Sequence, residues 1–71
     1  MKKNAIFISE VKKYRIIKGY SQEELANLVD VRRETIVRLE QSKYTPTLKL
    51  AIELEKVLEI PINELFRFED I

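Results

Sequence analysis

Residues 22–29 and 33–41 each carry apolar side chains at three- and four-residue spacing, and only Asp30, Val31 and Arg32 lie between them. Leu25, Ala26 and Val29 give the inward face of the first segment, and Ile36 and Leu39 that of the second. So short a connection makes the second helix cross the first at a steep angle and leaves its N-terminal half protruding. Ser21-Gln22-Glu23-Glu24 has the spacing of a capping box, in which the Ser hydroxyl and the Glu carboxylate each satisfy an orphan amide.

The rest of the chain extends the same pattern. A single Gly and two Pro interrupt it little, and helix is the default reading. The first helix is expected from about Ser9, as N-cap, through Val11, Tyr14 and Arg15 to a left-handed stop at Gly19. Leu48, Ala51, Leu54 (or Ile52) and Leu58 mark a fourth helix from about Thr47 to Leu58, and Pro61 starts a fifth through Leu65. The expected fold class is all-α, with five short helices. Ile6-Phe7-Ile8 and Phe66-Arg67-Phe68 are β-branched or aromatic and too short for helices, so the two ends are predicted to pair as a small antiparallel ribbon. Phe7, Val11, Tyr14, Tyr20, Leu25, Ala26, Val29, Val31, Ile36, Leu39, Leu48, Leu50, Ala51, Leu54 and Leu58 form the expected core.

At 71 residues the chain is expected to be one domain over 1–71, and 45% hydrophobic residues suffice for a core. With neither Cys nor His, disulfides, thiolate metal sites and the commonest general base are excluded. Glu23, Glu24 and Glu34 lie on helix surfaces without a convergent pocket. No enzymatic activity, cofactor or metal is therefore expected. The N-terminal MKKNAIFI begins like a secretory leader, but its apolar run from Ala5 to Ile8 is too short, so a soluble, cytoplasmic protein is expected.

Charge points to a partner. The net value is only +1, yet residues 1–18 hold six basic groups and one acid, while residues 44–71 hold three and six. An anionic partner should meet the N-terminal and middle parts. The protruding half of the helix at 33–41, with the residue before it, carries Arg32, Arg33, Glu34, Thr35 and Arg38. A helical rod fits the roughly 12 Å major groove of B-DNA, where such side chains bond guanine O6/N7, cytosine N4 or phosphate, or touch a thymine methyl.

The same residues carry a family resemblance. Arg15 with Lys18-Gly19-Tyr20-Ser21-Gln22-Glu23-Glu24-Leu25-Ala26, then Val31, Arg33, Thr35-Ile36, Leu39-Glu40, Lys43-Tyr44, Pro46 and the ending LEIPINELF resemble Cro/repressor-like (xenobiotic-response-element type) helix-turn-helix regulators. The resemblance is closest to short stand-alone bacterial members without a sensor domain. It implies a helix-turn-helix over about 22–41, a recognition helix over about 33–41, and a dimeric repressor or activator of double-stranded DNA. It puts Gln22 on a phosphate and in support of the recognition helix, Arg33, Glu34 and Arg38 at base edges, and Thr35, Gln41, Lys43 and Tyr44 near the sugar-phosphate backbone. Arg38 is expected on the same face as Arg33. The resemblance also implies a partly buried structural ion pair between Arg15 and Glu40, of the kind whose one-sided removal costs about 3–5 kcal/mol.

Departures from the pattern carry their own expectations. Asp30, Ser42 and Glu59 stand at turn positions where the family usually has Gly, so each must become left-handed unless its loop is reshaped. Arg32 replaces the capping Ser or Thr, Asp30 is expected to cap in its place, and Arg32 is then left to reach a phosphate. The C-terminal segment carries more apolar groups than a short helix buries, so Ile62, Leu65 and Phe66 are the expected dimer contact, producing an inverted-repeat operator. With no sensor in the chain, a protein partner or external signal is the expected source of control. The competing reading is a protein-interaction module, motivated by Ile16, Ile17, Leu28 and Val37 at positions the pattern leaves exposed.

Overall fold

A computed structural model describes residues 5–70. Met1 to Asn4, the start of the leader-like stretch, and Ile71 lie outside the described residues. The chain order is β1 (Ala5–Ser9), α1 (Val11–Lys18), α2 (Gln22–Leu28), α3 (Arg33–Glu40), α4 (Leu48–Leu58), α5 (Ile62–Leu65) and β2 (Phe66–Asp70). The five helices thus stand as expected, and the fold is mostly helical with a two-stranded antiparallel sheet added to the all-α reading. In the ribbon Phe7 pairs with Phe68 and Ser9 with Phe66. Phe7 stacks on Phe66 at 5.8 Å between ring centroids and lies 5.5 Å from Phe68, so one aromatic cluster fixes the register against the helices.

Local chemistry sets the helix ends. The capping box of α2 is complete: Ser21 Oγ accepts from the Glu24 N–H at 3.0 Å, and Glu24 Oε1 accepts from the Ser21 N–H at 2.8 Å. Thr47 Oγ1 accepts from the Leu50 N–H at 3.1 Å and starts α4. Ser9 ends β1 and Glu10 takes the N-cap position without a side-chain cap bond, but Ser9 Oγ still accepts from the Val11 N–H at 3.3 Å. The expected Ser9 contact with the first amide of α1 is thus made from one residue further back, while the Glu10 N–H donates to Leu65 O at 2.8 Å. Three helices end alike. After α1, α2 and α3 the chain turns left-handed at Gly19, Asp30 and Ser42, and the next N–H bonds back to Arg15 O, Ala26 O and Arg38 O at 3.1, 3.0 and 3.0 Å. Glu59 ends α4 with φ 59°, so all three non-Gly turns keep the left-handed geometry and no loop is reshaped.

Val11, Leu25, Ala26, Val29, Ile36, Leu39, Leu50, Leu54, Leu58 and Leu65 build one buried cluster, each large side chain contributing about 1.5–3 kcal/mol by leaving water. Phe7, Tyr14, Tyr20, Val31, Tyr44 and Phe66 pack against its edge.

Two expectations fail here. Leu48, placed in the core, is 74% exposed, because α4 turns Leu50, Ala51, Leu54 and Leu58 inward instead. Leu65, assigned to a dimer contact, is 0% exposed: the short α5 points it into its own core, where no symmetry mate reaches it. Phe66 is half-buried against Phe7, and Ile62 remains half-buried at the surface. Among the described residues no helix is long and apolar enough to cross a membrane.

Candidate nucleic-acid interface

The helix-turn-helix is built on the turn at Val29–Arg32. Asp30 turns left-handed (φ 58°) and the Val31 N–H returns to Ala26 O, while Arg32 is extended (φ −75°, ψ 153°) and releases the chain into α3. No side chain caps α3, so Asp30 does not take over the missing cap; its left-handed backbone ends α2 instead. Ile36 and Leu39 anchor α3 in the core, and its other sides stay open.

Arg32, Arg33, Glu34, Arg38, Gln41 and Lys43 are exposed. Thr35, Gln22 and Tyr44 are half-buried, and Tyr44 packs against the core, so part of its side chain is structural. Arg38 does not share a face with Arg33: five residues place it about 140° around the helix, one turn beyond Glu34. Arg33 therefore stands nearer the start of α3, and Arg38 extends the cationic surface along another side.

Ion pairing leaves the cations around α3 free. Among the described residues the ion pairs are Arg15–Glu40, Lys18–Glu59, Arg67–Glu10 and Arg67–Glu69. Arg32, Arg33, Arg38 and Lys43 belong to none of them; Lys12, Lys13, Lys49 and Lys56 are unpaired as well, but only the first four are gathered on α3 and the residues flanking it. Such a cluster attracts a polyanion.

Behind this surface lies a polar network. Arg15 Nε donates to Glu40 Oε2 at 2.6 Å and Arg15 Nη2 to Glu40 Oε1 at 3.2 Å, with both side chains largely removed from water. Arg15 Nη1 donates to Tyr20 O at 2.9 Å. The ion pair implied by the resemblance is therefore present, and it ties α1 to the end of α3. Gln22 extends it: its Nε2 donates to Glu40 Oε1 at 3.1 Å, and its Oε1 accepts from Arg33 Nη2 at 3.4 Å. Sequence reasoning missed these two contacts, which span 18 and 11 residues and leave no local signature.

Two short helices set by a tight turn, with an open cationic second helix, define a helix-turn-helix DNA-binding domain. Comparison with known proteins agrees. A helix-turn-helix family model matches residues 11–65, and the chain belongs to this Cro/CI-like family of transcriptional regulators. An uncharacterised helix-turn-helix-type transcriptional regulator of Archaeoglobus fulgidus is 47% identical over 62 residues, covering 87% of this chain and 89% of its own. Another, from Methanocaldococcus jannaschii, is 39% identical, covering 87% of this chain and 94% of its own. Among solved structures, the restriction-modification controller protein C.AhdI of Aeromonas hydrophila superposes with a TM-score of 0.69 at 30% identity, covering 76% of this chain and 82% of that one.

Proposed function

We propose that this regulator represses transcription as a homodimer that binds an inverted-repeat operator, each α3 entering a major groove about 34 Å from the other. The observation that carries this reading is the gathering of four cations, Arg32, Arg33, Arg38 and Lys43, on α3 and the residues flanking it, all exposed and none engaged in an ion pair. Arg33 reads a guanine, with Glu34 and Arg38 as further base-edge contacts. Gln22, Arg32, Thr35, Gln41, Lys43 and Tyr44 meet the backbone; Gln22 retains a second amide N–H for a phosphate after bonding Glu40. With Leu65 withdrawn into the core, the dimer contact falls on Ile62 together with Leu48 and Ile52, which lie one turn apart on the outside of α4.

Selection of bound sites from random duplexes tests the reading. A symmetric half-site pair is the expected result, and Arg33→Ala should lose preference at one base pair per half-site. Binding without sequence preference at any salt concentration refutes it.

The interaction-module reading keeps one supporting observation: Ile16, Ile17 and Leu28 are exposed, and Leu28 lines a shallow groove with Tyr20, Glu24 and Asn27. Val37, half-buried, no longer contributes. Failure to select DNA, together with capture of a protein partner through that groove, would favour this reading.

A further inference from the structure

The buried ion pair does more than join α1 to α3. Glu40 is 3% exposed at its side chain, and its Oε1 accepts from both Arg15 Nη2 and Gln22 Nε2. A carboxylate only accepts and a guanidinium only donates. The Gln22 amide sits between one of each, so its polarity is dictated from both sides: nitrogen toward Glu40, oxygen toward Arg33. A flipped amide would set its oxygen against the carboxylate and its NH2 against Arg33 Nη2, losing both bonds at once.

We propose that Glu40 is a positioning residue for base reading: through the Gln22 amide it gives Arg33 a fixed acceptor and orients the guanidinium before DNA arrives. The inference rests on the DNA-binding reading above and deepens it. Arg33 is otherwise an exposed, long side chain with many rotamers, and a pre-set guanidinium loses less freedom when it forms paired bonds to one base. Arg15 balances the Glu40 charge, so the acid at the end of the DNA-facing helix presents no bare negative charge to phosphate. Base preference at the Arg33 position is thus set partly by a residue that touches no DNA.

The test compares full-length parent, Gln22→Met, Glu40→Gln and the double variant on duplexes selected by the parent. The readout is the affinity ratio between preferred and other bases at the position whose preference disappears in Arg33→Ala. Each single variant should lower that ratio about fivefold or more and leave the ratios at other positions unchanged. The double variant should match Gln22→Met alone, since Glu40 acts only through Gln22. A Glu40→Gln protein that weakens binding to every duplex by one common factor, with the ratio intact, overturns the proposal, as do losses that multiply in the double variant. If Glu40→Gln does not fold, the Gln22 amide protons of the parent decide by nuclear magnetic resonance. One should exchange slowly with solvent while Gln22→Met still lowers the ratio; two rapidly exchanging protons, or an unchanged ratio, overturn it. A parent that selects no sequence removes the DNA reading and this inference with it, whereas selection by the parent with an unaffected Glu40→Gln ratio removes this inference alone.

Discussion

Ser42 Oγ accepts a hydrogen bond from the backbone N–H of Ser9 at 3.1 Å, joining the turn after α3 to the end of the first ribbon strand. Ser42 holds this position with φ 60°, and Asp30 and Glu59 have nearly the same backbone at 58° and 59°. Glycine relieves the left-handed cost, which is roughly 1–2 kcal/mol for an ordinary side chain and less for Asp, against some added freedom in the unfolded chain. Asp30→Gly should therefore raise the thermal midpoint, and Glu59→Gly should do so most clearly in acid or at high salt, where the pair it gives up with Lys18 no longer contributes. Ser42→Gly should gain less or lose, because it leaves the Ser9 N–H without its partner. Thermal melts followed by circular dichroism compare the three; equal gains would mean that the Ser42 bond contributes nothing.

Leu65 is buried and Leu48 exposed, the reverse of what the sequence suggested, and they should respond oppositely to substitution. Leu65→Ala leaves a cavity in the core and should cost about 2–5 kcal/mol in urea unfolding. Leu48→Ser should change monomer folding by no more than about 0.5 kcal/mol while lowering the mass seen in sedimentation. A Leu48→Ser protein that stays dimeric moves the contact off the outside of α4.

The reason for that reversal shows what a single sequence encodes. Helices α1 to α3 were legible because caps, left-handed stops and apolar spacing are local, and Ser21, Gly19 and Leu25 each act within a few residues. In α4, apolar side chains stand at 48, 50, 51, 52, 54, 57 and 58, nearly all round the helix, so spacing alone does not choose the buried side. The ribbon was legible from its aromatic and β-branched ends. The burial of Leu65 depends on where α5 packs, and the bonds from Gln22 to Glu40 and Ser9 to Ser42 cross 18 and 33 residues, a separation at which local pattern carries no information.

Lys18 Nζ pairs with the Glu59 carboxylate, and that hydrogen bond, with the charge of Lys18, holds the Glu59 carboxyl below its ordinary value near 4.5. The unfolded chain therefore binds the proton more readily than the native one. The contribution to stability is present above about pH 4.5 and is lost as pH falls through the lowered native value. In Lys18→Met the midpoint should drop relative to the parent at neutral pH, and the difference should close in acid. Because the pair is exposed, added salt should shrink the difference at neutral pH as well. A difference independent of both pH and salt would assign the effect to the packing of the Lys18 stem.

Arg32 stands at the N-cap of α3 in extended geometry, with no side chain bonding the first helical amides. Ser, Thr, Asp or Asn there would accept from the Glu34 or Thr35 N–H, a change that typically adds about 1 kcal/mol. A positive charge at a helix N-terminus also opposes the helix dipole. Keeping Arg at this place costs stability twice, and in the proposed complex the return is a phosphate contact. Arg32→Ser should consequently raise the unfolding free energy by about 1 kcal/mol while weakening binding to all duplexes alike. The slope of log affinity against log salt should flatten by about one. Urea unfolding and a salt titration on the selected operator measure the two effects on the same preparation. A variant with greater stability and an unchanged salt slope would remove Arg32 from the interface. A variant with no gain in stability would show that the cap position is already satisfied by solvent or backbone.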